Sequence, residues 1–419
     1  MPASAEAGPA LLVLNGGSSS LRCALFDVVP AGPRQRLAVH VERIGGADAM
    51  LTGTAAAHAS AGGARRAIAR ATDAPDVRAA CLAPDHAAAL RTALEWMEQR
   101  GWDGSVAGVA HRFVHGGPGG LGTGAVTPEL RGELETLAAF APEHMPAQLA
   151  LLAACTRRFP RAVQLACFDT AFHRGMPAVA QRLPLPRRLA AAGVRRYGFH
   201  GLSCAFLMGE LERVGGEGEA RGRVVLAHLG HGASLTAVRD GASLDTTMGF
   251  TPASGIPMGT RSGDIDPALP AWLARAEGLS AEGFAELADR RSGLLGVSET
   301  SGDMRELLAR EAQDVRAAEA VALFCHHARK AVGALAAVLG GLDTLVFAGG
   351  IGERAPVVRE RICAGLQFLG VRLDAGRNEA GAALLSHDGG RVRVRLIRTD
   401  EALQIARETA PLLTGERVP

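Results

Sequence analysis

The sequence predicts an α/β fold built twice, as two domains with a cleft between them. Three observations predict it. A strand, a Gly/Ser-rich turn and a second strand open the chain (LLVLN, GGSSS, LRCALFDVV), and the same arrangement returns near residue 224 as RVVLA, HLGHGAS and LTAV. Each hairpin is followed by alternating strand and helix patterns, the signature of a layered α/β domain. The turns GGSSSL near residue 16 and GHGASL near residue 230 occupy matching contexts, as an internal duplication would produce.

The elements follow in order. Residues 11–29 read as strand, turn, strand. Residues 31–82 are rich in Ala and Gly and carry little pattern. From Pro84 the spacing turns helical (DHAAALRTALEWMEQRG), with Gly101 at the close. A strand in SVAGVAHRFVHGG, a helix in TPELRGELETLAAFAP, a second helix from Pro146 to Phe159 and a buried strand AVQLACFDT complete the first half. The boundary is expected near Thr170, giving a first domain of residues 1–169 and a second of 170–402. In the second half, RVVLAHLGHGASLTAVRDGASLDTT reads as three strands joined by a Gly-rich turn and an Asp-Gly turn. A later strand, TLVFAGG, runs into a Gly-rich turn and a helix.

Composition narrows the function classes. The chain has 419 residues, 47% hydrophobic and 21% charged, enough for two cores. A net charge of +2 gives no case for a nucleic-acid or anionic-membrane partner. Lys330 is the only lysine, so nearly every cation is an arginine. Seven scattered cysteines without a CxxC pair argue against a disulfide framework or a zinc site and for a reducing compartment. No charged-then-apolar leader opens the chain, and the apolar run 331–352 is broken by Gly340, Gly341 and Asp343, so a cytoplasmic protein is expected.

Three Gly-rich turns after strands point to a nucleotide. In NGGSSS, Gly16 and Gly17 can turn several N–H groups to one side as an anion nest, with Asn15 and the serines adding donors. GHGAS (Gly230–Ser234), preceded by His228, is the second such turn. FAGGIGE is the third, where a buried strand delivers glycines to a helix start. One such turn is commonly a plain reversal; three in a duplicated fold favour phosphates. Arginine in irregular segments suits phosphoryl transfer, because its fork matches the oxygens over which charge spreads. Arg112 in HRFVHGG and Arg261 in MGTRSGDIDP are such residues; Arg261 lies in a Gly- and Asp-rich loop rather than on a helix face. His200, in YGFHG, could equally be a core histidine or a ligand. Asp169 at a strand end and Glu401 after RVRLIRTD are carboxylates of the kind that hold Mg²⁺, although strand-end carboxylates are more often turn residues.

The blocks NGGSSSL, HRFVHGG, APEHMP, CFDTAFHRGMP, RRYGFHGLS, HLGHGAS, DTTMGFTPASGIPMGTRSGDIDP, SETSGDMRE, FAGGIGERAP and RTDEALQIAR resemble, in this order and across almost the whole chain, the signatures of the acetate kinase family. The resemblance implies a duplicated ribonuclease H-like (actin-like ATPase) fold around a nucleotide cleft, with the C-terminal helix 403–419 packing back on the first domain. It implies reversible transfer of a phosphoryl group from ATP to acetate, direct and in line, with Mg²⁺ (Mn²⁺ as an alternative), in a cytoplasmic homodimer. Arg112 and Arg261 would clamp the acid carboxylate and the moving group. His200 would donate to that group, with Asp169 opposite and His144 on the phosphoryl path. Asn15 and Glu401 would serve the metal. Arg22, His228, Gly230 and Gly232 would attend the phosphates, and Asp303, Met304, Arg305, Gly350, Ile351 and Glu353 the adenosine. Val114, Phe199 and Pro252 would line the acid's small pocket.

The sequence departs from that family's pattern at several positions. Arg22 stands where Lys is usual, His231 and Arg354 where Asn is usual, and Asp400 where Asn usually precedes the Glu. In APEHMP, Glu143 replaces a pocket-lining Leu and Met145 an Asn. A buried, unpaired Glu facing a methyl group would be costly. Glu143 therefore turns to solvent, or pairs with an Arg, or the acid is not acetate; the first is expected, with Met145 filling the apolar space. Other readings are a kinase for another short acid such as propionate or butyrate, and a nucleotide switch on the same fold.

Overall fold

The computed structural model describes residues 8–17, 19–55 and 77–415. The chain divides into two compact units, residues 1–171 with 400–419, and residues 172–399. The expected end of the second domain at 402 thus moves to Thr399, so that Glu401 belongs to the first unit.

The first unit holds strands β1 (Ala10–Gly16), β2 (Ser20–Val29), β3 (Gly32–Glu42), β4 (Met50–Ala55), β5 (Val77–Ala80), β6 (Gly108–Phe113), β7 (Gly124–Ala125) and β8 (Val163–Phe168), in the order β5-β4-β3-β2-β1-β6-β8-β7. β1 is central, antiparallel to β2 and parallel to β6, and its Leu11–Leu14 run is buried on both faces. That is why it reads as a continuous apolar strand. β3 instead buries alternate residues, Leu37, Val39 and Val41. The weakly patterned stretch 31–82 thus contributes three antiparallel strands, with residues 56–76 outside the described ones. The helix His86–Glu98, capped by Asp85 through the Ala88 N–H, packs on β2 and β3 beside the helix Met145–Arg158. The helix Glu401–Thr414 lays Ile405, Ala406, Thr409 and Ala410 on β1, β3, β6 and β8. Fully burying a side chain the size of Ile405 contributes about 1.5–3 kcal/mol over exposure.

The second unit holds β9 (Val224–Leu229), β10 (Ala233–Arg239), β11 (Ala242–Thr246), β12 (Thr344–Ala348) and β13 (Arg393–Leu396), in the order β11-β10-β9-β12-β13. The first three are antiparallel and the last two join in parallel. The expected Asp-Gly turn joins β10 to β11, with Asp240 and Gly241 both at positive φ. The first unit repeats this connectivity: β3-β2-β1 are antiparallel, and β6 and β8 continue in parallel. The order 3-2-1-4-5 in both sheets is a duplication stated by topology, far clearer than the two short Gly-rich repeats. A long helix, Val315–Leu339, capped by Asp314 and ended by Gly340 in the left-handed region, covers β9, β10 and β11. It takes up the first part of the apolar run 331–352, and β12 lies in the remainder. Among the described residues, no helix is long and apolar enough to cross a membrane.

Candidate active site

In the first unit, the parallel pairing of β6 with β8 brings Arg112 beside Asp169, and the Asp169 N–H donates to the Phe113 carbonyl at 3.0 Å. Arg112 Nε donates to both carboxylate oxygens of Asp169, at 3.0 and 3.1 Å, and Nη2 donates to Oδ2 as well. Nη1 reaches Asn15 Oδ1 at 3.2 Å and the Gly16 carbonyl at 3.4 Å. Asn15 in turn donates Nδ2 to Glu401 Oε2 at 2.7 Å. Four sequence-expected residues, Asn15, Arg112, Asp169 and Glu401, therefore form one connected cluster. Asp169 is 1% exposed and Arg112 13%. Burial, opposed by Arg112 and aided by the nearby Glu401 charge, pushes the Asp169 carboxyl up from its ordinary value. Burial works against charge on Arg112 too, but the Asp169 carboxylate outweighs it and holds the guanidinium protonated.

Gln148, which sequence reasoning missed, supports this cluster from the helix Met145–Arg158. Fully buried, it donates to the Gly16 carbonyl at 3.1 Å and accepts from the Val114 N–H at 3.1 Å, locking two backbone groups that flank Asn15 and Arg112. His144 is the residue just before that helix and is half-buried. Glu143 is exposed and Met145 fully buried, the arrangement expected from APEHMP. Arg22 is exposed on β2, between Asn15 on β1 and His40 on β3. Ser18 of the Gly/Ser turn lies outside the described residues.

In the second unit the site grows from the β9–β10 turn. His200 precedes the helix Gly201–Gly215 in the left-handed region (φ 58°), a strained setting for a residue with a side chain. Its Nδ1 pairs with Ser234 Oγ at 2.9 Å. His228, on β9, pairs its Nδ1 with Ser203 Oγ at 2.8 Å, and Ser203 is within 2.8 Å of Thr399 Oγ1. The two imidazoles stack, ring centroids 4.3 Å apart. With both Nδ1 atoms tied to buried serines, the Nε2 atoms point away from them. Gly232 sits against His200 and Arg261: a Cβ there would lie 3.3 Å from both His200 Nε2 and Arg261 Nη1. Glycine thus lets backbone, histidine and arginine meet at one point. A Cβ on Gly230 would be 3.8 Å from the Gly350 N–H nitrogen and from His228 Nε2, so the second and third Gly-rich turns adjoin.

The nucleotide-side residues are more occupied than their motifs suggest. Gly350 is exposed and Ile351 half-buried in the short helix Gly349–Arg354. Glu353 Oε1 accepts from the Gly349 and Thr399 N–H groups, both at 3.1 Å. Arg359, a fully buried arginine that sequence reasoning passed over, donates to the carbonyls of Gly352 (2.9 Å), Glu353 (3.2 Å) and Asn378 (2.6 Å) and to Asn378 Oδ1 (2.8 Å). Asp303 caps the helix Met304–Arg310 through the Arg305 N–H and pairs with the exposed Arg305 guanidinium, which draws its carboxyl below the usual value. Met304 is buried. Of the three expected pocket residues, Val114 lies in the first unit, Phe199 and Pro252 in the second; Val114 and Phe199 are buried, and the Pro252 carbonyl is 3.4 Å from Arg261 Nη1. Arg261 Nε pairs with Asp289 at 3.1 Å, another residue without a local sequence signal.

Chemically, each unit presents a fixed guanidinium held by a carboxylate, the first beside further oxygen donors and the second beside two stacked histidines and glycine turns. The model of the acetokinase family matches residues 10–407. An acetate kinase of Methylocella silvestris is 42% identical over 408 residues, 96% of this chain and 98% of its own. The solved acetate kinase of Porphyromonas gingivalis superposes with a TM-score of 0.83 at 34% identity, covering 97% of this chain and 100% of that one. A propionate kinase from Francisella tularensis reaches 0.84 at 30% identity, covering 95% and 98%. With a match that runs from β1 into the C-terminal helix and relatives of the same extent, this chain belongs to the acetokinase family.

Proposed function

We propose that the chain transfers a phosphoryl group reversibly between ATP and acetate, forming acetyl phosphate and ADP by direct in-line displacement. The observation that carries the reading is the convergence of Arg261 Nη1 and His200 Nε2 on Gly232, in a turn that leaves a buried strand. The moving group spreads its charge over three oxygens, and fixed donors aimed at one point stabilise that charge without reorganising. Arg261 and His200 are those donors. Arg112, immobilised by Asp169 and Asn15, orients the acid carboxylate. Asp169 acts chiefly by holding Arg112, and His144 lines the path. Val114 in the first unit, and Phe199 and Pro252 in the second, are the apolar residues assigned to the acid's methyl group.

The donors in the first unit fit Mg²⁺, with Mn²⁺ as a second candidate. Asn15 and Glu401 offer an amide and a carboxylate oxygen on side chains already joined, Asn15 Nδ2 donating to Glu401 Oε2 at 2.7 Å, and Mg²⁺ takes one or two such ligands plus water and phosphate oxygens. Asn15 and Glu401 would hold the ion, which supplies neutralisation of nucleotide phosphate charge when bound. Gly230, Gly232 and Gly350 leave room for the phosphates beside His228, and Arg22 of the first unit is a further cation for them; Asp303, Met304, Arg305, Ile351 and Glu353 shape the adenosine side. The reading extends to a cytoplasmic homodimer, in keeping with seven cysteines that are all free.

Trapping of acyl phosphate with hydroxylamine tests the reaction, with ATP, Mg²⁺ and acetate, propionate, butyrate or formate, and a control without acid. Acetate should give a strong signal, because Glu143 is exposed and no carboxylate faces the methyl group from that position. Propionate is the second substrate to expect, since a relative of similar length acts under that name. Signal only with longer or polar acids would move the substrate. Tight ATP binding with silence across all four would favour a nucleotide switch.

A further inference from the structure

The loop that carries Arg261 is built onto the end of a helix. The helix Ala281–Arg290, started by Ser280 through the Gly283 N–H, ends beneath it. The Ser262 N–H donates to the Ala288 carbonyl at 2.8 Å, Thr260 Oγ1 to the Asp289 carbonyl at 3.0 Å, and the Ser292 N–H to the Thr260 carbonyl at 2.9 Å. Carbonyls that a helix end would leave open are thus satisfied by this loop. Gly293 closes the junction at φ 62°, where a Cβ would come within 2.2 Å of the Met258 carbonyl oxygen and 2.6 Å of that of Arg261. No other residue fits there.

Asp289 is an anomaly on this helix. A carboxylate in the last turn faces the negative end of the helix dipole, where cations are favoured. What balances its position is Arg261: Oδ1 and Nε form an ion pair at 3.1 Å, with the Asp289 and Arg261 side chains 24% and 17% exposed. A guanidinium is planar, so a carboxylate 3.1 Å from Nε anchors that side of the group while the Nη edge meets other partners, Nη1 among them donating to the Pro252 carbonyl at 3.4 Å. That edge is the one whose Nη1 approaches Gly232, as His200 Nε2 does.

We propose that Asp289 is a positioning residue for the reaction: it holds Arg261 by Nε and thereby aims the Nη edge at the transferring group. The inference rests on the reading of Arg261 given above. Asp289 has a second effect, because its negative charge opposes anions near Arg261 and so weakens their binding.

Steady-state kinetics on the full chain, with acid and ATP varied separately, test this for Arg261→Ala, Asp289→Ala and Asp289→Asn. Arg261→Ala should lower kcat by about 10³-fold or more. Asp289→Ala should lower kcat by about 10–100-fold with the KM for ATP within about twofold, because aim is lost while the nucleotide side is untouched. Asp289→Asn keeps an acceptor for Nε, so it should recover most of that loss, and its KM for the acid should fall below that of the unaltered protein. An Asp289→Ala protein with undiminished kcat beside an inactive Arg261→Ala protein overturns the inference. An Asp289→Asn protein as impaired as Asp289→Ala also overturns it, since geometry would then not be the cause. An active Arg261→Ala protein instead overturns the underlying site reading. Should Asp289→Ala fail to fold, the Asn variant alone decides through its acid KM and kcat.

Discussion

Breaking the Arg112–Asp169 pair should separate what it does for stability from what it does for chemistry. Asp169 is 1% exposed and Arg112 13%, and two guanidinium N–H groups, on Nε and Nη2, are spent on the one carboxylate. Asp169→Ala leaves a nearly buried cation with only Asn15 Oδ1 and the Gly16 carbonyl from this cluster. Removing one partner of a buried pair costs about 3–5 kcal/mol, mostly as the penalty of the stranded charge. Replacing both by apolar residues, Arg112→Met with Asp169→Leu, removes that penalty and should recover stability to within about 2 kcal/mol of the natural protein. Urea unfolding followed by tryptophan fluorescence reads the right unit, because Trp96 and Trp102 are both buried in the first core. Both variants should be inactive in the hydroxamate assay, by about 10³-fold or more, since neither keeps an aimed guanidinium. A single Asp169→Ala that unfolds within about 1 kcal/mol of the natural protein would refute the argument from burial.

Three other outcomes are expected. Arg261→Ala should cut kcat steeply while ATP binding, measured by calorimetry, changes little; equal losses in both would place Arg261 in ground-state nucleotide binding. Burial holds the imidazoles of His111 and His173 at a pKa of about 4, against an ordinary value of 6.5. The unfolded chain therefore takes up protons first, so each contributes stability that is complete above pH 6.5 and lost as pH falls towards 4, about 3 kcal/mol apiece at most. Urea midpoints measured from pH 7.5 to 4.5 should fall, less steeply in His111→Gln; a flat profile would contradict the assignment. Glu143→Leu should leave the ratio of acetate to propionate turnover unchanged, as the side chain is exposed, and a large shift would put it in the pocket.

Much of the fold was legible because the signals are local. Continuous apolar runs marked β1, β8 and β12, the Asp-Gly pair marked the β10–β11 turn, and glycines after strands marked all three turns. The ordered motifs carried the family. The antiparallel strands β3 to β5 were not legible, because Ala, Gly and Arg dilute the alternation that only Leu37, Val39 and Val41 display. Gln148, Asp289 and Arg359 were silent too: a lone polar residue on a helix reads as a surface residue until packing shows what it touches.

Sequence alone determined which residue types could hold phosphate, acid and metal, and that two similar α/β halves exist. It did so because strand periodicity, turn chemistry and motif order are properties of neighbouring residues. Tertiary structure decided which of them cooperate. Arg112 and Asp169, 57 residues apart, meet because β6 and β8 pair in parallel at that register; Asn15 and Glu401, 386 apart, meet because the C-terminal helix returns to the first sheet. A one-residue slip in that pairing would turn Arg112 to the opposite face, leaving the motifs intact and the site undone.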